Sequence, residues 1–171
     1  MIWQSTIDLT DDERAQLNSF AVQYDGSSEE KVPNALQKFS FAIKKTNRLL
    51  DDYLPKKYKK YLVQSWSINI PKGNQIHYNP HNHGYAHLSF IFYTKSDGKN
   101  NLVIKDMNNL EFRLSLATND FVIVPPYLTH MIEIGVASSD RISFVGDILL
   151  TELEYKSSMF LPPMNIWQEL E

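Results

Sequence analysis

From residue 61 to residue 150 the chain runs in short apolar–polar alternations cut by turn residues, and this pattern commits it to a core built from sheets. Seven runs qualify as strands: YLVQSWSINI (61–70), HLSFIFYT (87–94), NLVIKD (101–106), LEFRLSL (110–116), DFVIVP (120–125), MIEIGV (131–136) and RISFVGDILL (141–150). Pro71-Lys72-Gly73, Ser96-Asp97-Gly98, Asn108-Asn109 and Ser138-Ser139-Asp140 punctuate them. Seven short strands at this spacing predict a sandwich or barrel.

Helices come first. Thr10 and Glu13 fit a capping box ahead of Leu17, Phe20 and Ala21 at helical spacing. From Asn34 to about Leu54, the apolar positions Leu36, Phe39, Ile43, Leu50 and Tyr53 follow a period near 3.6, and Pro55 ends the run. The expected organisation is one domain over 1–171: a helical lead-in (1–60), a β core (61–150) and a C-terminal tail (151–171) that packs outside. A chain of 171 residues is long enough to bury such a core.

Four of the five histidines fall within eleven residues, HYNPHNHGYAH (77–87). His81 and His83 are two apart, so on an extended segment both imidazoles face one side and can reach one ion. His130, 47 residues past His83, brings a third imidazole from a distant strand. His77 and His87 read as structural, with His87 or water as the substitute ligand if His83 points away. With no cysteine in the chain, thiolate ligands and disulfides are excluded.

Arg141 adds chemistry to the set. If 131–136 and 141–150 pair as an antiparallel hairpin, Arg141 lies near His130, and Ser143 shares its strand face. An arginine beside a metal is a fork for a carboxylate, since its planar guanidinium binds two oxygens at once.

In order and spacing these residues resemble the Fe(II)/2-oxoglutarate-dependent oxygenase superfamily, whose pattern is H-x-D/E, about fifty residues, H, about ten residues, then R-x-S. Here it reads His81-Asn82-His83, His130, Arg141-Ile142-Ser143. More narrowly, the stretch from about 60 to 150 is similar to a group of small bacterial and phage 2-oxoglutarate oxygenases, through Trp66 in SWSINIPKG, the H-x-H pair, LSFIFYT and VPPYLTH. The resemblance implies a double-stranded β-helix, or jelly roll, mainly β with the α-helices N-terminal to it. It implies Fe(II) on His81, His83 and His130, no catalytic residue beyond the metal centre, and 2-oxoglutarate as cosubstrate, with its far carboxylate on Arg141, Ser143 and Tyr78. The implied reaction hydroxylates a substrate while 2-oxoglutarate is decarboxylated to succinate. One residue departs from the pattern: His83 stands where the family has a carboxylate. Three neutral imidazoles leave the full charge of a divalent ion and also suit zinc or copper.

Cupins are the rival, with H-x-H and a later P-x-G-x-x-H. Here His87 takes the place of their glutamate and Tyr127 that of their glycine. A cupin would be a tri-His dioxygenase, an isomerase or a binding barrel, and a metal-free jelly-roll module is the non-enzymatic reading. The net charge of −3 gives no electrostatic reason for nucleic-acid binding, despite KKYKK at 56–60. The absence of a leader or a long apolar run predicts a cytoplasmic protein, or host cytoplasm if phage-encoded, with no membrane partner. The expected partner is a small-molecule or peptide substrate; a homodimer is left open. Tyr78, Tyr85, Trp66 and Tyr127 are candidates for lining a pocket.

Overall fold

The structure, a computed structural model, describes residues 2–23, 34–55, 58–76, 80–150 and 168–170. Six strands form one antiparallel sheet: β1 (Trp3–Thr6), β7 (Asp120–Val124), β4 (Leu88–Lys95), β10 (Arg141–Leu150), β2 (Lys60–Ile70) and β11 (Gln168–Glu169), in that order. A smaller sheet faces it, ordered β6 (Glu111–Leu114), β5 (Leu102–Lys105), β8 (Thr129–Ile132), and β3 (Gln75–Ile76) pairs with β9 (Gly135–Val136). This is the jelly-roll core, with antiparallel pairing throughout.

The six-stranded sheet is covered on both faces, so its central strands β4 and β10 are buried almost throughout. On β4, Leu88, Phe90 and Phe92 join the cluster that includes Leu17, Leu36, Ile43 and Leu50, which places the helices α1 (Asp11–Val22) and α2 (Ser40–Tyr53) on that face. Ile91 and Tyr93, one residue out of phase, pack instead with Leu102 and Ile104 of the smaller sheet. The period of two thus divides β4 between two cores.

The Thr10 capping box forms as the sequence predicts, with Thr10 Oγ1 accepting from the Glu13 amide and Glu13 accepting from the Thr10 amide. The second helix is shorter than predicted. A 3-10 turn at Leu36–Lys38 precedes it, held to β2 by the Ala35 amide on the Ser65 carbonyl and the Leu36 amide on Ser65 Oγ. Lys59 and Lys60 of KKYKK are engaged in ion pairs with Glu169 and Asp51. Of the tail expected at 151–171, only residues 168–170 are described, and their strand β11 pairs on the free edge of β2.

One expectation needs correction. Residues 131–136 are not one strand, and they do not pair with 141–150. Residues up to Ile132 belong to β8, which pairs with β5, while Gly135 and Val136 pair with β3. β10 lies between β2 and β4. The reason is burial: the first nine of the ten β10 residues are buried, so it fits only a central position with a partner on each edge.

Candidate metal centre

The metal candidates are fixed first by backbone. His81 and His130 form an isolated antiparallel bridge, with the His81 amide on the His130 carbonyl at 3.1 Å and the reverse bond at 2.8 Å. The His83 amide donates to the Pro126 carbonyl (3.0 Å), and the Ala86 amide closes a turn onto the His83 carbonyl (2.8 Å). A loop rich in polar residues is thereby pinned to the start of β8. The three rings then face one another, with centroid separations of 5.2 Å (His81–His83), 4.6 Å (His81–His130) and 5.0 Å (His83–His130).

One nitrogen from each ring lies within 4.8 Å of the others. At about 2.1 Å per metal–nitrogen bond, ligand atoms sit at most about 4.2 Å apart, so small ring rotations close the set on one ion. The donor chemistry fits too. His83 Nδ1 lies 2.6 Å from Asp147 Oδ1 and 3.0 Å from Ser89 Oγ, while its Nε2 is buried without a hydrogen-bond partner. A buried ring nitrogen left bare is costly unless something takes its lone pair. His130 Nδ1 points to the Leu128 carbonyl (3.4 Å). Burial first, then the neighbouring His83 and His81, push the pKa of His130 down to about 3, so its imidazole is neutral and available as a ligand at neutral pH.

His87 is not part of the set. Its Nδ1 accepts the Leu150 amide at 2.8 Å, and its own amide donates to the Ile148 carbonyl, so it ties the loop to the end of β10. His77 and Tyr78 lie outside the described residues.

Arg141 comes to the histidines from the opposite sheet, not across a hairpin. A cavity partly open to solvent lies between the sheets, with Trp66, Tyr93, Arg141 and Ser143 on one wall and Leu102, His130 and Ile132 on the other. Arg141 and Ser143 share the inner face of β10, as alternation requires. The Arg141 side chain is nearly buried, at 3% exposure. Its Nη2 donates to the Tyr93 hydroxyl at 2.7 Å and its guanidinium lies 4.6 Å from the centre of that ring. Its Nε and Nη1 have no partner. Among the described residues no carboxylate pairs with it. Burial raises the Tyr93 pKa against the opposing pull of Arg141, so the phenol keeps its proton.

Of the aromatic candidates, Trp66 lines the cavity, Tyr85 stacks parallel to His83 with its hydroxyl on Asp147, and Tyr127 is exposed. Sequence reasoning missed Tyr93 and Asp147. An aspartate inside the apolar run RISFVGDILL was the available signal for the second, since a charge on a central strand must have buried partners.

No family model matches the sequence, and no curated protein does. Solved structures do resemble it. A prolyl-4-hydroxylase from Pseudomonas putida superposes with a TM-score of 0.58 at 14% identity, covering 85% of each chain. An oxidoreductase of the 2OG-Fe(II) oxygenase family from Burkholderia pseudomallei gives 0.63 at 11% identity, covering 86% of this chain and 83% of that one. HygX from Streptomyces hygroscopicus, solved with nickel and 2-oxoglutarate bound, gives 0.62 at 8% identity over 96% and 88%. The chain therefore has the fold of the family that its motifs resemble. Among the described residues no helix is long and apolar enough to cross a membrane.

Proposed function

We propose that this protein is a metal-dependent dioxygenase that consumes 2-oxoglutarate and hydroxylates a small-molecule or peptide substrate. The observation that carries the reading is the buried Arg141, whose Nε and Nη1 lack partners on a cavity wall opposite His130. A buried, unpaired guanidinium is unfavourable unless an anion completes it, and a carboxylate can take the second Nη2 hydrogen together with Nε or Nη1 as a fork.

His81, His83 and His130 would hold Fe(II), which, when bound, supplies the oxidising chemistry with dioxygen and 2-oxoglutarate. The rest belongs to the chain's own residues. Tyr93 anchors one end of the Arg141 guanidinium, and Ser143 lines the same cavity wall. Ile91, Leu102, Ile132 and Val145 line the space with apolar surface and keep water from a bound cosubstrate.

The three-imidazole donor set favours a second reading, a cupin-like metal protein that does not use 2-oxoglutarate. One experiment separates the two. Fe(II)-loaded protein is titrated anaerobically with 2-oxoglutarate while the visible metal-to-ligand charge-transfer band is followed, with Arg141→Ala in parallel. The proposal expects a band in the wild type that needs far more 2-oxoglutarate in the variant. Iron binding without a band would transfer the reading to the cupin-like class.

A further inference from the structure

The family pattern places a carboxylate at position 83, and this chain has an imidazole there. A carboxylate is nevertheless present, one layer further back. Asp147 is fully buried, and its Oδ1 lies 2.6 Å from His83 Nδ1. We propose that Asp147 is the displaced carboxylate of this metal centre: a positioning residue that directs the His83 Nε2 lone pair at the metal and supplies, from behind the ligand, the negative charge that three imidazoles lack. The inference rests on the metal-centre reading above.

The sheet builds this arrangement by register. Asp147 on β10 stands opposite Gln64 of β2 and Ser89 of β4. A register shift follows directly after Asp147, where Ile148 pairs with Leu62 and Val63 is left over. That bulge lets Leu62 pack toward the helices while Gln64 turns to the inner face beside Asp147.

All four acceptor sites of Asp147 are engaged. Oδ1 takes Ser89 Oγ (2.5 Å) and His83 Nδ1; Oδ2 takes Gln64 Nε2 (2.6 Å) and the Tyr85 hydroxyl. Ser89, Gln64 and Tyr85 donate to three of these sites, and His83 Nδ1 occupies the fourth. They also leave it no lone pair for the metal, so it cannot itself be the third ligand. With Nδ1 donating to Asp147, the proton is fixed on that side of the ring, and the partnerless Nε2 carries the lone pair. A carboxylate behind a ligating histidine is a general means of orienting the ring and raising its basicity, and losing it weakens metal affinity by roughly 10–100-fold.

Three measurements test the inference. In metal-free wild type, long-range 1H–15N NMR of the histidine rings should find the His83 proton on Nδ1. Co(II) titrated into Asp147→Asn should bind about 10–100-fold more weakly than into wild type, with circular dichroism unchanged; this isolates the charge, since an asparagine carbonyl still accepts from Nδ1. In a third pair, His83→Asp with Asp147→Asn should bind Co(II) more tightly than His83→Asp alone, where two carboxylates would crowd one buried site. If Asp147→Asn fails to fold, the wild-type ring spectrum decides alone. A wild type that takes up Co(II) but carries the His83 proton on Nε2, or an Asp147→Asn variant that binds like wild type, overturns this inference and leaves the metal centre standing. A wild type that takes up no Co(II) overturns both.

Discussion

Arg141 is the residue on which the proposed chemistry depends most. Its planar guanidinium presents donors in a fixed fork, so charge alone does not replace it. Arg141→Lys keeps the cation and loses the bidentate geometry. Its apparent affinity for 2-oxoglutarate should fall between those of wild type and Arg141→Ala, and the alanine variant should lose at least about 30-fold, as expected when one partner of a buried charge pair is removed. Isothermal titration of the Zn(II)-loaded protein under nitrogen checks the order. His87 makes a different residue-scale argument. Its Nδ1 must stay an acceptor to hold the Leu150 amide, and burial lowers its pKa. A histidine with a depressed folded pKa contributes stability that is complete above its unfolded value, near 6.5, and is lost as the pH falls toward the folded value. Urea midpoints of the metal-free protein should therefore drop from pH 7 to pH 5. His130, also depressed, adds to this drop. His87→Asn keeps an acceptor that does not titrate, so the drop should shrink in that variant.

At the scale of elements, β10 serves both parts of the proposed site. Arg141 and Ser143 face the cavity near its start, and Asp147 backs His83 past its middle. The alternate residues Ile142, Phe144 and Ile148 face the helices. Gly146 belongs to that outer set, and a Cβ built on it would lie 2.3 Å from Phe90 Cζ and 2.9 Å from Leu62 Cδ1. Phe90 is itself stacked on Phe92 and Phe121, so it has little room to yield. Gly146→Ala should cost about 1–3 kcal/mol of stability by overpacking, read from chemical denaturation. It should also weaken Co(II) binding, because Asp147 is the next residue and its register sets the Gln64 and Ser89 contacts. The six strand candidates other than 131–136 were legible because alternation and turn residues mark them. β1, β3 and β11 were not: Trp3–Thr6 has no apolar run of its own, and the other two are two residues each.

At the scale of the molecule, the site joins two sheets and a loop. His130 comes from the smaller sheet, Arg141 from the larger, and His81 and His83 from the segment pinned to β8. A metal that binds the folded arrangement and not the unfolded chain stabilises it by about 2.7 kcal/mol at a hundredfold excess over its dissociation constant. Thermal melts with Co(II) should accordingly shift upward, EDTA should reverse the shift, and His130→Ala should abolish it.

What the sequence by itself determined is what short-range pattern encodes. Alternation over 61–150 sets a sheet-built core, Thr10 and Glu13 set a helix start, and the spacing of His81, His83 and His130 points to three rings that lie together in the structure. The tertiary structure alone decided how they meet. A hairpin between 131–136 and 141–150 is the local solution, but β10 is buried on both faces and fits only as a central strand. Arg141 therefore faces His130 across the cavity between the sheets. The same placement sets Asp147 between Gln64 and Ser89 and behind His83, a contact that spans 64 residues of chain. Periodicity reports which face a side chain takes; the strand beside it is chosen by the burial that the whole fold makes available.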